Sequence, residues 1–235
     1  MIPWLDRAAG FPDADKALAE PNGLLCAGGD LEPHTIIAAY SKGIYPWFSD
    51  DQPILWWSPD PRMVLFPAGF KVSKSLAKTR RSGKFDIRFD SAFADVIAGC
   101  AAPREPGGGT WIVPEMQAAY IRLHELGVAH SVESWQDGKL VGGLYGMALG
   151  RMFFGESMFS RETDASKVAL MAMVEKLRRD GFGLIDCQQE TRHLASFGAR
   201  PIARRDFVQH LRELINSGKP SSSITSHWRM ENVET

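Results

Sequence analysis

Two carboxylates stand inside apolar, strand-like runs: Glu156 in Phe153-Phe154-Gly155-Glu156-Ser157-Met158-Phe159-Ser160, and Asp186 in Leu184-Ile185-Asp186-Cys187-Gln188. A charge withdrawn from water must be paired or hydrogen-bonded, and side chains with displaced protonation equilibria gather at reaction sites. The two runs therefore point to a polar site walled by hydrophobes, suited to proton transfer or to holding a cation. The plainer alternatives are an aspartate hydrogen-bonded near a strand end and a glutamate on a strand edge.

The elements that must position these groups follow from periodicity. Residues 1–62 are rich in Pro and Trp. There Gly23-Leu24-Leu25-Cys26-Ala27-Gly28-Gly29-Asp30 reads as a loop-rich entry and 33–41 as a short helix with Pro33 near its start and Gly43 after its end. Pro46-Trp47-Phe48, Pro53-Ile54-Leu55-Trp56-Trp57-Ser58 and Pro59-Asp60-Pro61 read as short extended pieces and turns. Beyond a boundary near Arg62, residues 63–66 and 85–89 read as strands, 73–82 as a helix capped by Ser73, and 92–100 and 114–126 as helices. Next come a three-stranded antiparallel meander (129–135, 140–149, 152–159), an amphipathic helix (164–179), a buried strand (184–187) and a closing helix (205–215). The order is α+β and matches the acyltransferase fold of the GCN5-related N-acetyltransferase type. The division expected is a small N-terminal α/β domain (1–62), a catalytic domain (63–216) and a mobile tail (217–235).

Composition bounds the reading. At 235 residues, 44% hydrophobic and 23% charged, the chain is long enough to bury a sizeable core and is neither disordered nor fibrous. A net charge of −1 excludes coating nucleic acid by bulk charge but leaves room for a local basic face. Cys26, Cys100 and Cys187 have no metal-ligand or disulfide spacing, and no cluster of residues indicates a metal or cofactor. With no cationic leader and no apolar run of membrane length, a cytoplasmic protein is expected, without a membrane partner.

A much closer likeness lies in the motifs. Asn22-Gly23-Leu24-Leu25, Gly28-Gly29-Asp30-Leu31, Gly43-Ile44-Tyr45-Pro46-Trp47-Phe48 and Ile54-Leu55-Trp56-Trp57-Ser58-Pro59-Asp60-Pro61-Arg62 resemble the leucyl/phenylalanyl-tRNA-protein transferase family. So do Gly109-Thr110-Trp111-Ile112, Leu140-Val141-Gly142-Gly143-Leu144-Tyr145-Gly146, and the two carboxylate-bearing runs. The resemblance, ordered from about residue 20 to residue 210, implies transfer of Leu, Phe or Met from aminoacyl-tRNA to proteins that begin with Arg or Lys, marking them for degradation. It also implies no coenzyme A and a monomer.

The same resemblance implies roles for particular residues. Asp186 and Gln188 occupy positions assigned a proton or electron relay, with Asp186 the first candidate to help deprotonate the attacking amine, and Glu156 suits recognition of an α-amino group or of the incoming basic residue. Leu144, Phe153, Met158, Met173, Leu177 and Ile185 match the amino-acid side-chain pocket, and Trp47 and Trp111 match the aromatics that hold the terminal adenosine. Leu144, Met173 and Leu177 depart from the familiar Met, Phe and Phe at these positions, which bears on the preference among donors. Trp4, Trp56 and Trp57 read as packing residues. Lys71, Lys74, Lys78, Arg80, Arg81, Lys84 and Arg88 form a basic segment for the tRNA backbone, which Arg204 and Arg205 extend. Two rivals remain at this stage: an acetyl-coenzyme A-dependent N-acetyltransferase, against which stands the lack of a phosphate-cradling turn opening a helix, and a non-catalytic RNA-binding module.

Overall fold

The computed structural model describes residues 2–5, 10–103 and 110–216; the expected tail at 217–235 lies outside them, as does Gly109 of the Gly109-Thr110-Trp111-Ile112 run. Among the described residues the strands form two sheets. The smaller takes β1 (Trp4–Leu5), β2 (Leu24–Gly28), β3 (Tyr45–Pro46) and β4 (Leu55–Trp57) in the order β1-β2-β4-β3, with α1 (Pro33–Tyr40) between β2 and β3. The larger begins with β5 (Arg62–Leu65) and continues through α2 (Lys74–Arg81), β6 (Asp86–Phe89), α3 (Phe93–Ala101), α4 (Pro114–Glu125), β7 (Ala129–Gln136), β8 (Lys139–Leu149) and β9 (Met152–Ser160). It is completed by α5 (Ala165–Arg179), β10 (Leu184–Gln188), α6 (Arg192–Ser196), β11 (Arg200–Ile202) and α7 (Arg204–Asn216), and its strand order is β11-β5-β10-β9-β8-β7-β6.

Local chemistry explains most of these elements. Ser73 caps α2, its Oγ accepting the Leu76 N–H at 3.1 Å, and Pro33 and Pro114 open α1 and α4, where a missing N–H costs nothing. Asp137 and Gly138, both at positive φ, form the tight turn between β7 and β8. The entry expected as a loop contains β2, paired to β4, and the segment after β10 contains α6 and β11. These pieces are too short to declare themselves by periodicity; β2 and β11 are held by neighbouring strands, and α6 is capped by the Thr191 hydroxyl, which accepts the Leu194 N–H at 3.2 Å.

Strand alternation sends side chains to two apolar clusters, one on each face of the larger sheet. Val64, Tyr145, Met147, Met152, Phe154 and Leu184 join the cluster beneath α1, α3, α4 and α7, while Met63, Leu65, Leu144, Phe153 and Ile185 join the one beneath α5. The first cluster continues into the smaller sheet through Leu25, Trp56 and Trp57, so the Pro- and Trp-rich part shares its core with the larger sheet. Trp56 and Trp57 pack as expected; Trp4 does not, being 68% exposed, because the two-residue β1 leaves its indole on the outside over Gly28.

The larger sheet has one parallel pair among the described residues, β9 with β10, made by the α5 crossover, and its other pairs are antiparallel. That pair registers only Met152 with Leu184, Phe153 with Ile185 and Phe154 with Asp186. Beyond Phe154 and Asp186 the two strands part, and both carboxylate-bearing runs lie at this parting.

Candidate active site

A β-bulge sits at the parting on each strand. On β9, Gly155 pairs with Gly146 and Ser157 with Tyr145, so Glu156 is the extra residue and is turned out of the regular ladder. On β10 the register to β5 shifts between Asp186 and Gln188, and Gln188 has φ +60, a left-handed conformation rare outside glycine. Simple two-residue alternation therefore does not relate Asp186 to Gln188. What relates them is a hydrogen bond from the Gln188 N–H to Asp186 Oδ1, at 2.9 Å.

Glu156 is half-buried among partners supplied by three other elements. Tyr40, the last residue of α1, donates its hydroxyl to Glu156 Oε1 at 2.8 Å, and the Gln188 amide nitrogen lies 3.3 Å from both carboxylate oxygens. The hydroxyls of Tyr40 and Tyr120, the latter from α4, are 2.6 Å apart; since the Tyr40 proton points at Glu156, Tyr120 is the donor in that pair. Burial, then the charge of Glu156, pushes both phenols well above their ordinary value, so each keeps its proton. Burial also lifts the Glu156 carboxyl to about 7, against the hydrogen bonds from Tyr40 and Gln188 that favour the anion. A carboxyl balanced near neutrality suits general acid-base work.

Asp186 has a different setting. Its carboxylate is fully buried and gripped by Arg62, with Nε to Oδ1 at 2.8 Å and Nη2 to Oδ2 at 2.6 Å. The guanidinium lies between the rings of Tyr45 and Phe207, 4.7 and 4.6 Å from their centres, and its Nη1 donates to the Gly43 carbonyl at 3.1 Å. Burial works against the Arg62 charge, but the Asp186 carboxylate and its hydrogen bonds, with Tyr45 and Tyr40, together raise the guanidinium pKa. Three donors thus surround Asp186 and solvent does not reach it. The geometry runs against the base role expected of Asp186, because a bidentate guanidinium already occupies both oxygens.

The six apolar positions expected to receive the amino-acid side chain fall into one group. Leu144, Phe153, Met173, Leu177 and Ile185 are buried in the cluster beneath α5, and Met158, the cross-strand neighbour of Leu144, is half-buried at its edge. They lie on the opposite face of the sheet from Tyr40, Tyr120 and Arg62.

Trp47 stands 38% exposed at the end of β3, its ring edge-on to Trp57, and Trp111 is half-buried against the first cluster. On α2 and its flanks, Lys71, Lys74, Lys78, Arg81 and Lys84 are exposed and Arg80 is half-buried, while Lys84 reaches Glu162 at 3.4 Å. Arg88 pairs with Asp86 and covers Trp135, and Arg204 donates to the Ser58 carbonyl, so both are committed to local contacts. The glycines of Gly142-Gly143-x-x-Gly146 lie inside β8 and permit close packing: a Cβ at Gly142 would stand 2.6 Å from that of Ala165, and one at Gly146 would strike the Phe154 carbonyl. They do not form a phosphate cradle at a helix start.

Sequence reasoning missed Arg62, Tyr40 and Tyr120. Arg62 carried a signal, a cation opening the apolar run Met63-Val64-Leu65-Phe66 and complementary to the acid in Leu184-Ile185-Asp186. The tyrosines carried none, as each ends or lines a helix whose apolar stripe accounts for it.

The mixed sheet, with its one parallel strand pair parting beside a titratable site, has the α+β order read from the sequence. The particular family is given by sequence: the pattern described as leucyl/phenylalanyl-tRNA protein transferase matches residues 64–212 and that of its N-terminal domain residues 29–60, and the chain belongs to this family. The leucyl/phenylalanyl-tRNA–protein transferase of Azoarcus sp. (strain BH72) is 62% identical over 220 residues, covering 94% of each chain. That of Stutzerimonas stutzeri (strain A1501) is 58% identical over 230 residues, 97% of this chain and 100% of the relative. Among solved structures, FemX aligns with a TM-score of 0.48 at 10% identity, covering 75% of this chain and 70% of that one. Among the described residues, no helix is long and apolar enough to cross a membrane.

Proposed function

We propose that this chain moves Leu, Phe or Met from aminoacyl-tRNA to the α-amino group of proteins beginning with Arg or Lys, forming a peptide bond and marking them for N-degron-dependent degradation. Family membership supports the reaction class, and the observation that carries the site is the Gln188 to Glu156 bridge across the parted strands. In this reading residues 1–62 are a small N-terminal unit and 63–216 the catalytic one.

The donor ester is already activated, so the main task is to hold amine against carbonyl, which can lower the barrier by about 7 to 11 kcal/mol. The acyl side chain enters the group formed by Leu144, Phe153, Met158, Met173, Leu177 and Ile185 through the opening between β9 and β10. The adaptable Met158 and Met173 tolerate both a ring and an aliphatic chain. The terminal adenosine rests on Trp47 and Trp111, each stacked base contributing roughly 1 to 3 kcal/mol. Lys71, Lys74, Lys78, Arg80, Arg81 and Lys84 take the phosphates.

The amine nitrogen attacks the ester carbon, and its proton passes to the Glu156 carboxylate as the C–N bond forms. The Gln188 amide oxygen, opposite the nitrogen that Glu156 engages, accepts a second N–H and aims the lone pair. When the C–O bond breaks, Glu156 returns the proton to the ribose oxygen, so the proton balance closes on the tRNA. A free α-amino group titrates at about 7.7 to 8.0, and a carboxyl raised to about 7 is well matched to it. In this reading Asp186 positions its neighbours.

The test is to incubate the purified chain with leucyl-, phenylalanyl- or methionyl-tRNA and peptides beginning with Arg, Lys or Ala, and to read the products by mass. Aminoacyl addition to the Arg and Lys peptides alone is the expected result. Acetyl addition from acetyl-coenzyme A in its place, or tRNA binding without transfer, overturns the reading.

A further inference from the structure

The Arg62–Asp186 pair touches both halves of the site at once. We propose that Arg62 is a positioning residue of the transfer reaction, its single guanidinium fixing the strand end that carries Gln188 relative to the turn that leads to Trp47. The proposal rests on the assignment above of Gln188 to the attacking amine and Trp47 to the adenosine.

On one side, Asp186 Oδ1 accepts both Arg62 Nε and the Gln188 N–H, so the oxygen that anchors the guanidinium also anchors the backbone of Gln188. Gln188 stands at φ +60, a conformation that a non-glycine residue keeps only when its surroundings impose it. That conformation aims the Gln188 amide at Glu156. On the other side, Arg62 Nη1 holds the Gly43 carbonyl, and the Tyr45 ring covers one face of the guanidinium. Gly43 is at φ +77, and a Cβ there would lie 2.9 Å from the Phe207 ring, so only glycine lets the chain approach this closely. From Tyr45 the chain runs through Pro46 to Trp47, whose N–H donates to the Leu55 carbonyl at 2.9 Å and whose carbonyl accepts Trp57 Nε1 at 2.7 Å. The path from Gln188 to Trp47 thus passes through one rigid, planar cation.

Lysine carries the same charge but has no fork to hold Asp186 and Gly43 together. Arg62→Lys is therefore expected to retain tRNA binding, which depends on the exposed cations near α2, and to keep a cooperative melting transition. Its kcat should fall by about 10- to 100-fold, as a misplacement of about 1 Å produces. The decisive measurement is a double-mutant cycle with Gln188→Ala. If Arg62 works by placing Gln188, then Gln188→Ala slows the wild-type protein strongly and the Arg62→Lys protein hardly further. Effects that simply multiply, or an Arg62→Lys protein with unaltered kcat, overturn the proposal. Should Arg62→Lys fail to fold, Asp186→Asn takes its place in the same cycle, and failure of both to fold makes the ion pair a stability element and overturns the positioning role. A different outcome marks failure of the underlying site assignment: Gln188→Ala and Glu156→Gln both turning over normally in an otherwise wild-type chain.

Discussion

Glu156 and Glu133 are both strand glutamates lifted above their ordinary value by burial, and both are hydrogen-bonded by hydroxyl groups. Glu133, on β7, is fully buried; its Oε1 accepts Ser131 Oγ at 2.6 Å and its Oε2 accepts Ser91 Oγ at 2.8 Å. It is itself in regular register with Arg88 on one side and Gly143 on the other, the shift between β7 and β8 coming only after Ser134. Glu156 is the bulged residue beside strands that diverge, and it keeps contact with solvent. A displaced pKa is thus shared by a carboxyl closed inside the sheet and by the one to which we assign the proton transfer. Access separates them, and access comes from the bulge and the parting of β9 from β10.

The sharpest way to break this comparison is to neutralise each glutamate without changing its shape. Glu156→Gln should lower kcat by about 10²- to 10⁴-fold, the usual worth of a positioned proton carrier. Glu133→Gln should leave kcat near wild type and instead cost about 1 to 3 kcal/mol of stability in denaturant titrations, because an amide replaces an acceptor in a closed network. Equal kinetic losses in single-turnover transfer would erase the distinction. A third region sharpens it: replacing Lys74, Lys78 and Arg81 by Ala should reduce the salt slope of tRNA binding by about 2 to 3 while kcat at saturating tRNA stays unchanged.

The next effect concerns pH. The folded value of Glu156, about 7, lies above its ordinary 4.5, so between these values the native state holds a proton that the unfolded chain has released. Its contribution to stability is therefore lost as pH rises from 4.5 to 7, and Glu156→Gln should flatten the fall in melting temperature across that window while leaving the part due to Glu133. Transfer should rise over the upper part of the same window as the carboxylate forms. The smallest effect belongs to Tyr40→Phe: removing a donor to the anion should move the rise in rate to higher pH while leaving the plateau close to wild type. A midpoint displaced to lower pH would detach Tyr40 from the carboxylate.

Most of the larger sheet was legible because its elements are long and periodic. The meander at 129–159, the helix at 164–179 and the cap at Ser73 lie within a residue or two of β7–β9, α5 and α2. The pieces that were not legible, β2, α6 and β11, have at most five residues each and depend on partners distant in the chain.

The candidate site divides along the same line. Glu156, Asp186, Gln188 and the six apolar positions could be named from residue type and motif, since a carboxylate in an apolar strand is costly enough to be informative wherever it stands. Which of the two carboxylates is enclosed by an ion pair, and which is only half-buried, could not be read in that way. That choice is made by Arg62, 124 positions from Asp186, and by Tyr40, 116 positions from Glu156. The sequence alone determined which chemical groups the sheet must bury. Only the tertiary structure decided how each is paired, because solvation and hydrogen-bond geometry are set by neighbours that folding, and not chain order, brings into contact.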